Sequence, residues 1–334
     1  MSARARLETR LNRIWYEGAA VPLWAELGER VYRGLLGLRR WAYSLGLRRA
    51  TRLPVPVVIV GNLTAGGTGK TPLVAWLAGE LRQRGWKPGI VTRGYGAAAH
   101  SARRLPPGAE PGEFGDEPVW LAHATGCPVA IGRRRIEAAR LLIESDGVDL
   151  LVSDDGLQHW ALARDLEIAL IDGQRGFGNG RLLPAGPLRE PVERLARVDA
   201  VVVNGGEREG AFGMRVRADR VLSLRDLAQA RPIAGLRGQR VHAVAGIGNP
   251  NRFFELLRSH GIDVDPHPYP DHHAFDGSEL VFDDDLLVLI TEKDAGKCAR
   301  FADGHTWVVP IDVELPAAFG DLVHRRLHTL RSPG

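Results

Sequence analysis

Val55-Pro-Val-Val-Ile-Val60 leads into Gly61-Asn-Leu-Thr64-Ala-Gly-Gly-Thr-Gly-Lys-Thr71, and residues 72–84 then follow with helical periodicity. A β-branched strand, a glycine-rich loop closing on Lys-Thr and a helix make the order of a phosphate-binding loop. Gly66, Gly67 and Gly69 give the backbone freedom that lets successive N–H groups converge on phosphate oxygens. Lys70 is placed to neutralise β- and γ-phosphates, and Thr71 to offer its hydroxyl to Mg2+. The helix that follows points its positive end at the anion. The nucleotide-binding segment is therefore Thr64, Ala65, Gly66, Gly67, Thr68, Gly69, Lys70 and Thr71.

Outward from this loop, short apolar runs at 90–92, 129–131, 150–153, 167–171 and 200–203 alternate with helical patterns at 118–124 and 133–144. Continuously apolar strands separated by helices predict a largely parallel sheet covered on both faces. A second unit starts near Arg231, with strands at 241–245, 286–290 and 307–309 and a helix at 251–260. The expected fold is α/β: a P-loop NTPase-like sheet flanked by helices, a second smaller α/β lobe, and an N-terminal amphipathic helical segment. The expected division is residues 1–50, 51–228 and 229–334. Residues 97–115, rich in Ala, Pro and Gly, read as a mobile loop.

With 334 residues, 44% hydrophobic and 25% charged, the chain can form two cores. No run reaches the roughly 18–20 consecutive apolar residues of a spanning helix. The Arg- and Glu-studded N-terminus does not read as a secretory signal, so a cytoplasmic protein is expected. Cys127 and Cys298 are too few and too far apart for a disulfide framework or a zinc site. Residues 3–52 carry many arginines against Glu8, Glu17, Glu26 and Glu29, interleaved with Trp15, Tyr16, Trp24, Tyr32, Trp41 and Tyr43. Leu35, Leu36, Leu38, Trp41 and Leu45 form an apolar stripe on a helix there. Two readings stand open: the stripe packs on the rest of the protein, or it lies in an interface with anionic lipid. Nucleic acid is a third partner for so basic a segment.

Asp154-Asp-Gly-Leu-Gln-His159 closes the strand at 150–153. Acids at the C-terminal end of a strand beside a phosphate-binding loop sit where a Mg2+-organising carboxylate belongs. Two adjacent carboxylates repel unless a cation satisfies them, although Asp-Asp-Gly is also an ordinary turn. Gln158 and His159 are placed to orient the pair or to contact an acceptor. Gly115-Asp-Glu-Pro118 opens a helix, where Asp116 is either an N-cap or the base that takes a proton from an acceptor hydroxyl. His272, in Asp271-His-His-Ala-Phe275, is a second candidate base. Arg175, Arg181 and Arg189 form a basic stretch suited to an anionic substrate or to solvent, and Thr291-Glu-Lys-Asp294 has the residues of a base-reading loop in the wrong order.

The loop departs from the strict G-x-x-x-x-G-K-[ST] pattern, with Thr64 where Gly is usual. Its Gly-Gly-x-Gly-Lys-Thr spacing is similar to that of the dimerising P-loop ATPases, but their signature Lys is Ala65 here. The set of motifs as a whole resembles the tetraacyldisaccharide 4′-kinases, the lipid A kinases of Gram-negative bacteria. The resemblance rests on Val60 through Pro72, Thr92-Arg-Gly-Tyr-Gly96, Gly115-Asp-Glu-Pro118, Ser153 through His159, Pro184-Ala-Gly-Pro-Leu-Arg-Glu190, Gly246-Ile-Gly-Asn-Pro250, Tyr269 through Phe275 and Thr291-Glu-Lys-Asp-Ala295. They occur in order over most of the chain. The resemblance implies ATP and Mg2+, with γ-phosphoryl transfer to the 4′-hydroxyl of an acylated glucosamine disaccharide 1-phosphate. It implies Asp116 as catalytic carboxylate paired with His272, and Mg2+ shared by Thr71, Glu117, Asp154 and Asp155. Arg93, Tyr95, Gln158, His159 and Arg189 would contact the acceptor or its phosphate. It also turns the N-terminal helix toward the cytoplasmic face of the inner membrane, peripheral or monotopic, with no nucleic-acid or obligate protein partner. A membrane-recruited switch ATPase or GTPase is the alternative.

Overall fold

The computed structural model describes residues 3–94 and 101–331. Helices α1 (Ala3–Tyr16) and α2 (Leu23–Ser44) precede strand β1 (Val57–Gly61). Helix α3 (Lys70–Gln83), β2 (Pro88–Thr92), β3 (Arg103–Arg104), α4 (Pro111–Phe114) and α5 (Asp116–Thr125) follow. Then come β4 (Val129–Ile131), α6 (Arg135–Asp146), β5 (Leu150–Asp154), β6 (Leu166–Asp172), β7 (Ala200–Asn204) and β8 (Phe212–Arg217). Strand β1 lies between β5 and β6, parallel to both, so the phosphate-binding loop and the Asp154 end of β5 emerge side by side. Strands β5–β2–β4 and β6–β7–β8 extend the parallel order on either side.

The strand residues alternate between two cores. Val58 and Val60 join Leu73, Leu77 and Leu81 of α3 on one face, while Val57 and Ile59 join Ala138 and Leu142 of α6 on the other. Burial on both faces accounts for the uninterrupted apolar runs.

The second lobe holds β9 (Arg220–Ser223), β10 (Ala230–Pro232), β11 (Arg240–Ala245), α7 (Pro250–Ser259), β12 (Asp263–Pro268), β13 (Leu287–Thr291), α8 (Glu292–Cys298) and β14 (Thr306–Val309). Its six strands run β10-β9-β14-β13-β11-β12. Strand β12 escapes sequence reading because Pro266 and Pro268 interrupt it; it pairs with β11 alone, and an edge tolerates proline.

The chain then returns. Strand β15 (Asp312–Glu314) pairs antiparallel with β8, completing a nine-stranded sheet, and α9 (Ala317–Arg331) buries Phe319, Val323 and Leu327 in the first core. The boundary expected at 228/229, with everything beyond it in one lobe, therefore does not follow the sheets. The second sheet starts at β9 and ends at β14, because the apolar face of α9 completes the core around α3. The expectation of a loop over 97–115 also needs correcting. Residues 97–100 lie outside the described residues, whereas 101–115 include β3 and α4, with Leu105 and Phe114 buried.

Helix α2 is attached by its polar side. Glu29 is buried against Arg181 (2.8 Å), Tyr32 donates to the Arg189 carbonyl (2.9 Å), and Arg39 to that of Gln158 (2.6 Å). Leu23, Trp24, Leu27, Val31, Leu35, Leu38 and Trp41 are exposed, while Leu36 packs inward. The stripe therefore faces mostly away from the protein. No helix among the described residues is long and apolar enough to cross a membrane.

Candidate active site

The loop at 64–71 wraps from β1 into α3. Gly69, at φ 90°, is the residue before the helix, a left-handed conformation that favours glycine. Thr64 is buried and is not among the residues with positive φ, so the departure from glycine there costs no backbone strain. A Cβ on Gly67 would stand 3.5 Å from Cα of Gly248, which brings the Gly246–Pro250 loop of the second lobe against the phosphate-binding loop. Lys70 Nζ donates to Asn62 Oδ1 at 3.1 Å and lies 3.4 Å from Asp155.

At the end of β5 the two acids differ. Asp154 is almost wholly buried, and its Oδ1 has no hydrogen-bond partner among the described residues. Burial, reinforced by the charges of Glu117 and Asp155, raises its pKa to about 7 against the pull of Lys70 and Arg135. Asp155 adopts φ 50° and pairs with Arg189 at 2.9 Å. Burial opposes its ionisation, but Lys70 and Arg189 outweigh it and hold the carboxyl well below the usual range. The orphaned oxygen and the crowded acids fit a hard divalent cation. The set Thr71, Glu117, Asp154 and Asp155 has the oxygen donors for it.

Asp116 is the first residue of α5, and Gly115 precedes the helix with no side-chain cap. The N-cap reading is thus corrected. The carboxylate instead meets His272 Nδ1 at 3.2 Å and Lys297 Nζ at 3.4 Å. Although burial opposes it, the His272 hydrogen bond and Lys297 lower the Asp116 pKa; the same hydrogen bond raises that of His272. Glu117 pairs with Lys293 at 2.9 Å. His273 points elsewhere, to Glu279 at 2.6 Å, and stacks on Tyr269. Of the two adjacent histidines, His272 is the one that meets Asp116.

Sequence reading missed Lys293 and Lys297. They sit on α8, four residues apart and so on one helical face, and the spacing was the available signal. Asp294 between them is fully buried; it accepts from the Gly246 amide (2.9 Å) and the Thr291 hydroxyl (2.7 Å), and pairs with Lys297 at 2.6 Å. The Thr291-Glu-Lys-Asp294 run is therefore a scaffold that ties α8 to the Gly246 loop. Arg252 was missed too: it reaches the Thr68 carbonyl at 3.4 Å and Asp172 at 2.8 Å.

Beside the acids, a cavity of about 460 Å³ is lined by α2 residues Tyr32, Leu36 and Arg39 together with Arg93, Arg133, Arg135, Asp155, Gln158, His159 and Arg189. Gln158 donates to Asn62 O (3.2 Å) and Glu190 (2.9 Å). Burial, then nearby arginines with Arg135 foremost, lower the His159 pKa to about 4, so its ring is neutral at pH 7. Arg93 is exposed at the rim; Tyr95 lies outside the described residues.

Residues 26–328 match the family model described as "Tetraacyldisaccharide-1-P 4'-kinase". A tetraacyldisaccharide 4′-kinase of Nitrosococcus oceani is 50% identical over 85% of this chain and 84% of its own length. One from Stenotrophomonas maltophilia is 48% identical over 95% of this chain and 96% of its own. Among solved structures, LpxK from Aquifex aeolicus in complex with ATP matches with a TM-score of 0.74 and 29% identity, covering 90% of this chain and 97% of that one. With the match running from α2 into α9 and so through every strand that carries the site, the chain belongs to the tetraacyldisaccharide-1-P 4′-kinase family.

Proposed function

We propose that this chain transfers the γ-phosphoryl group of ATP to the 4′-hydroxyl of a tetraacylated glucosamine disaccharide 1-phosphate. The observation that carries the reading is the meeting of two lobes at the start of α5, where Asp116 reaches His272 at 3.2 Å and Glu117 reaches Lys293 at 2.9 Å, with Lys70 also favouring ionised Glu117. A phosphate-binding lysine and an acid–histidine pair thus share one electrostatic neighbourhood. A switch ATPase needs no such pair, and family membership sets that alternative aside.

Thr71, Glu117, Asp154 and Asp155 would hold Mg2+, which when bound neutralises charge on the phosphate oxygens. Lys70 and the amides of residues 66–71 hold the phosphates. Asp116 orients His272, and the pair takes up the proton of the attacking hydroxyl, with the carboxylate stabilising the imidazolium. Lys297 keeps Asp116 ionised. Arg93, Gln158, His159 and Arg189 line the side from which an anionic sugar enters, and the family resemblance adds Tyr95, outside the described residues, as an acceptor contact.

The acceptor stays in the bilayer, since each buried CH₂ holds it by about 0.8 kcal/mol. We infer that the outward stripe of α2 seats the enzyme on the cytoplasmic face of the inner membrane, with the arginine-lined cavity opening beside it. Incubation with labelled ATP and the acylated disaccharide 1-phosphate on vesicles is expected to yield labelled lipid. Label appearing only as free phosphate would overturn the reading. Leu35→Glu with Leu38→Glu should abolish vesicle binding and leave the melting temperature unchanged.

A further inference from the structure

The second lobe carries a cluster that the phosphoryl-transfer site does not use. His242 of β11 lies opposite Asp265 of β12 in the parallel ladder, and His267 follows two residues on, so Asp265 and His267 share a face of the strand. His242 Nδ1 stands 3.1 Å from His267 Nε2 and 3.7 Å from Asp265 Oδ2, and His267 Nε2 is 3.9 Å from Asp265 Oδ1. Two nitrogens and a carboxylate thus converge from three side chains, all within 4.8 Å of one another.

We infer that His242, Asp265 and His267 form a zinc-binding site. The spacing suits the metal: with Zn–N and Zn–O bonds of about 2.0–2.1 Å, neighbouring donors of a tetrahedral site lie roughly 3.3 Å apart. The second argument is the other edge of His242. Its Nε2 meets the Asp284 carboxylate at 3.0 Å. A carboxylate there accepts a hydrogen bond from Nε2–H and leaves the Nδ1 lone pair aimed into the cluster, the arrangement by which proteins orient zinc-bound histidine. Phe282 stacks on the buried His242 ring at 3.6 Å and fixes its plane. Nitrogen donors select zinc over the harder magnesium, which prefers oxygen. The site has structural consequence, because β12 is an edge strand held by one ladder and runs directly into the Tyr269–His272 segment. A cation joining β11 to β12 fastens the strand from which His272 is presented.

The test is calorimetric titration of Zn2+ into EDTA-treated, full-length protein in detergent, with millimolar Mg2+ present to occupy the acids near Lys70. One Zn2+ per chain is expected, with a Kd in the micromolar range or tighter and a rise in melting temperature. Asp284→Asn should weaken binding about 10–100-fold. His267→Gln and Asp265→Asn, both at partly exposed positions, should each abolish the zinc-dependent rise while leaving the zinc-free melting temperature unchanged. Co2+ should give the visible absorption of a four-coordinate centre in the wild type and lose it in His267→Gln. If Zn2+ does not bind, or binds equally well in both variants, the histidines form only a hydrogen-bonded pair and the assignment is wrong.

Discussion

Two acidic dipeptides, Asp154-Asp155 and Asp116-Glu117, look alike in the sequence and are made different by their surroundings. The first lies at the end of a buried strand of the phosphate-binding lobe. Its positive partners, Lys70, Arg135 and Arg189, come from that same lobe, and among the described residues one Asp154 oxygen is left unsatisfied. The second opens a helix and takes its partners, His272, Lys293 and Lys297, from the other lobe. One pair is short of positive charge and suits a cation. In the other, Asp116 is already compensated and suits a proton, since a histidine held by a carboxylate is a better base than a free one, while Glu117 offers an oxygen donor.

The comparison breaks first at Asp154. Asp154→Asn should eliminate turnover at any Mg2+ concentration, and measurable activity restored by excess Mg2+ would place the metal elsewhere. The same substitution should stabilise the metal-free protein. Asp154 has a folded pKa near 7, above the ordinary carboxylate value, so the folded state holds a proton that the unfolded chain has released. Its contribution to stability therefore declines as pH rises from about 4 to 7. Asn removes that decline and should add a few kcal/mol at pH 8, read by chemical denaturation in EDTA.

Asp116→Ala comes next. A general-base role predicts a loss in kcat of about 10²–10⁴-fold with ATP affinity little changed, measured by steady-state kinetics and nucleotide titration. Equal losses in both would move Asp116 to the metal side of the comparison. His272 provides the pH readout. Its pKa is raised chiefly by the hydrogen bond to Asp116, so it loses its proton at higher pH than an ordinary histidine, and kcat should rise with pH through that raised value. Asp116→Asn should shift this acidic limb to lower pH while reducing the plateau. The smallest effect belongs to His273→Gln. Its partner is Glu279, and kcat should stay within about threefold of wild type, with a loss of about 1 kcal/mol in stability from the broken hydrogen bond.

Much of this was legible beforehand. The strands of the first sheet's centre were readable because burial on both faces writes continuous apolar runs, and the loop was readable because phosphate contact demands glycine, lysine and threonine in order. The edges were not. Strands β3, β12 and β15 are short, polar or proline-bearing, since an edge strand needs one ladder and one buried face at most. The return of α9 to the first core was equally hidden, because its apolar face fits any core of the right size. Lys293 and Lys297 were overlooked for a related reason: a lysine on a helix is ordinarily solvated, and only a facing acid gives it a role.

By itself the sequence determined that a triphosphate-gripping loop sits between a buried strand and a helix, because local backbone geometry and phosphate chemistry leave few other uses for those residues. It also determined which acids were candidates for metal and proton. Only the tertiary structure decided how their surroundings differ. Burial and charge pairing are properties of neighbours brought together from distant parts of the chain, and these set whether a carboxylate waits for a cation or passes on a proton.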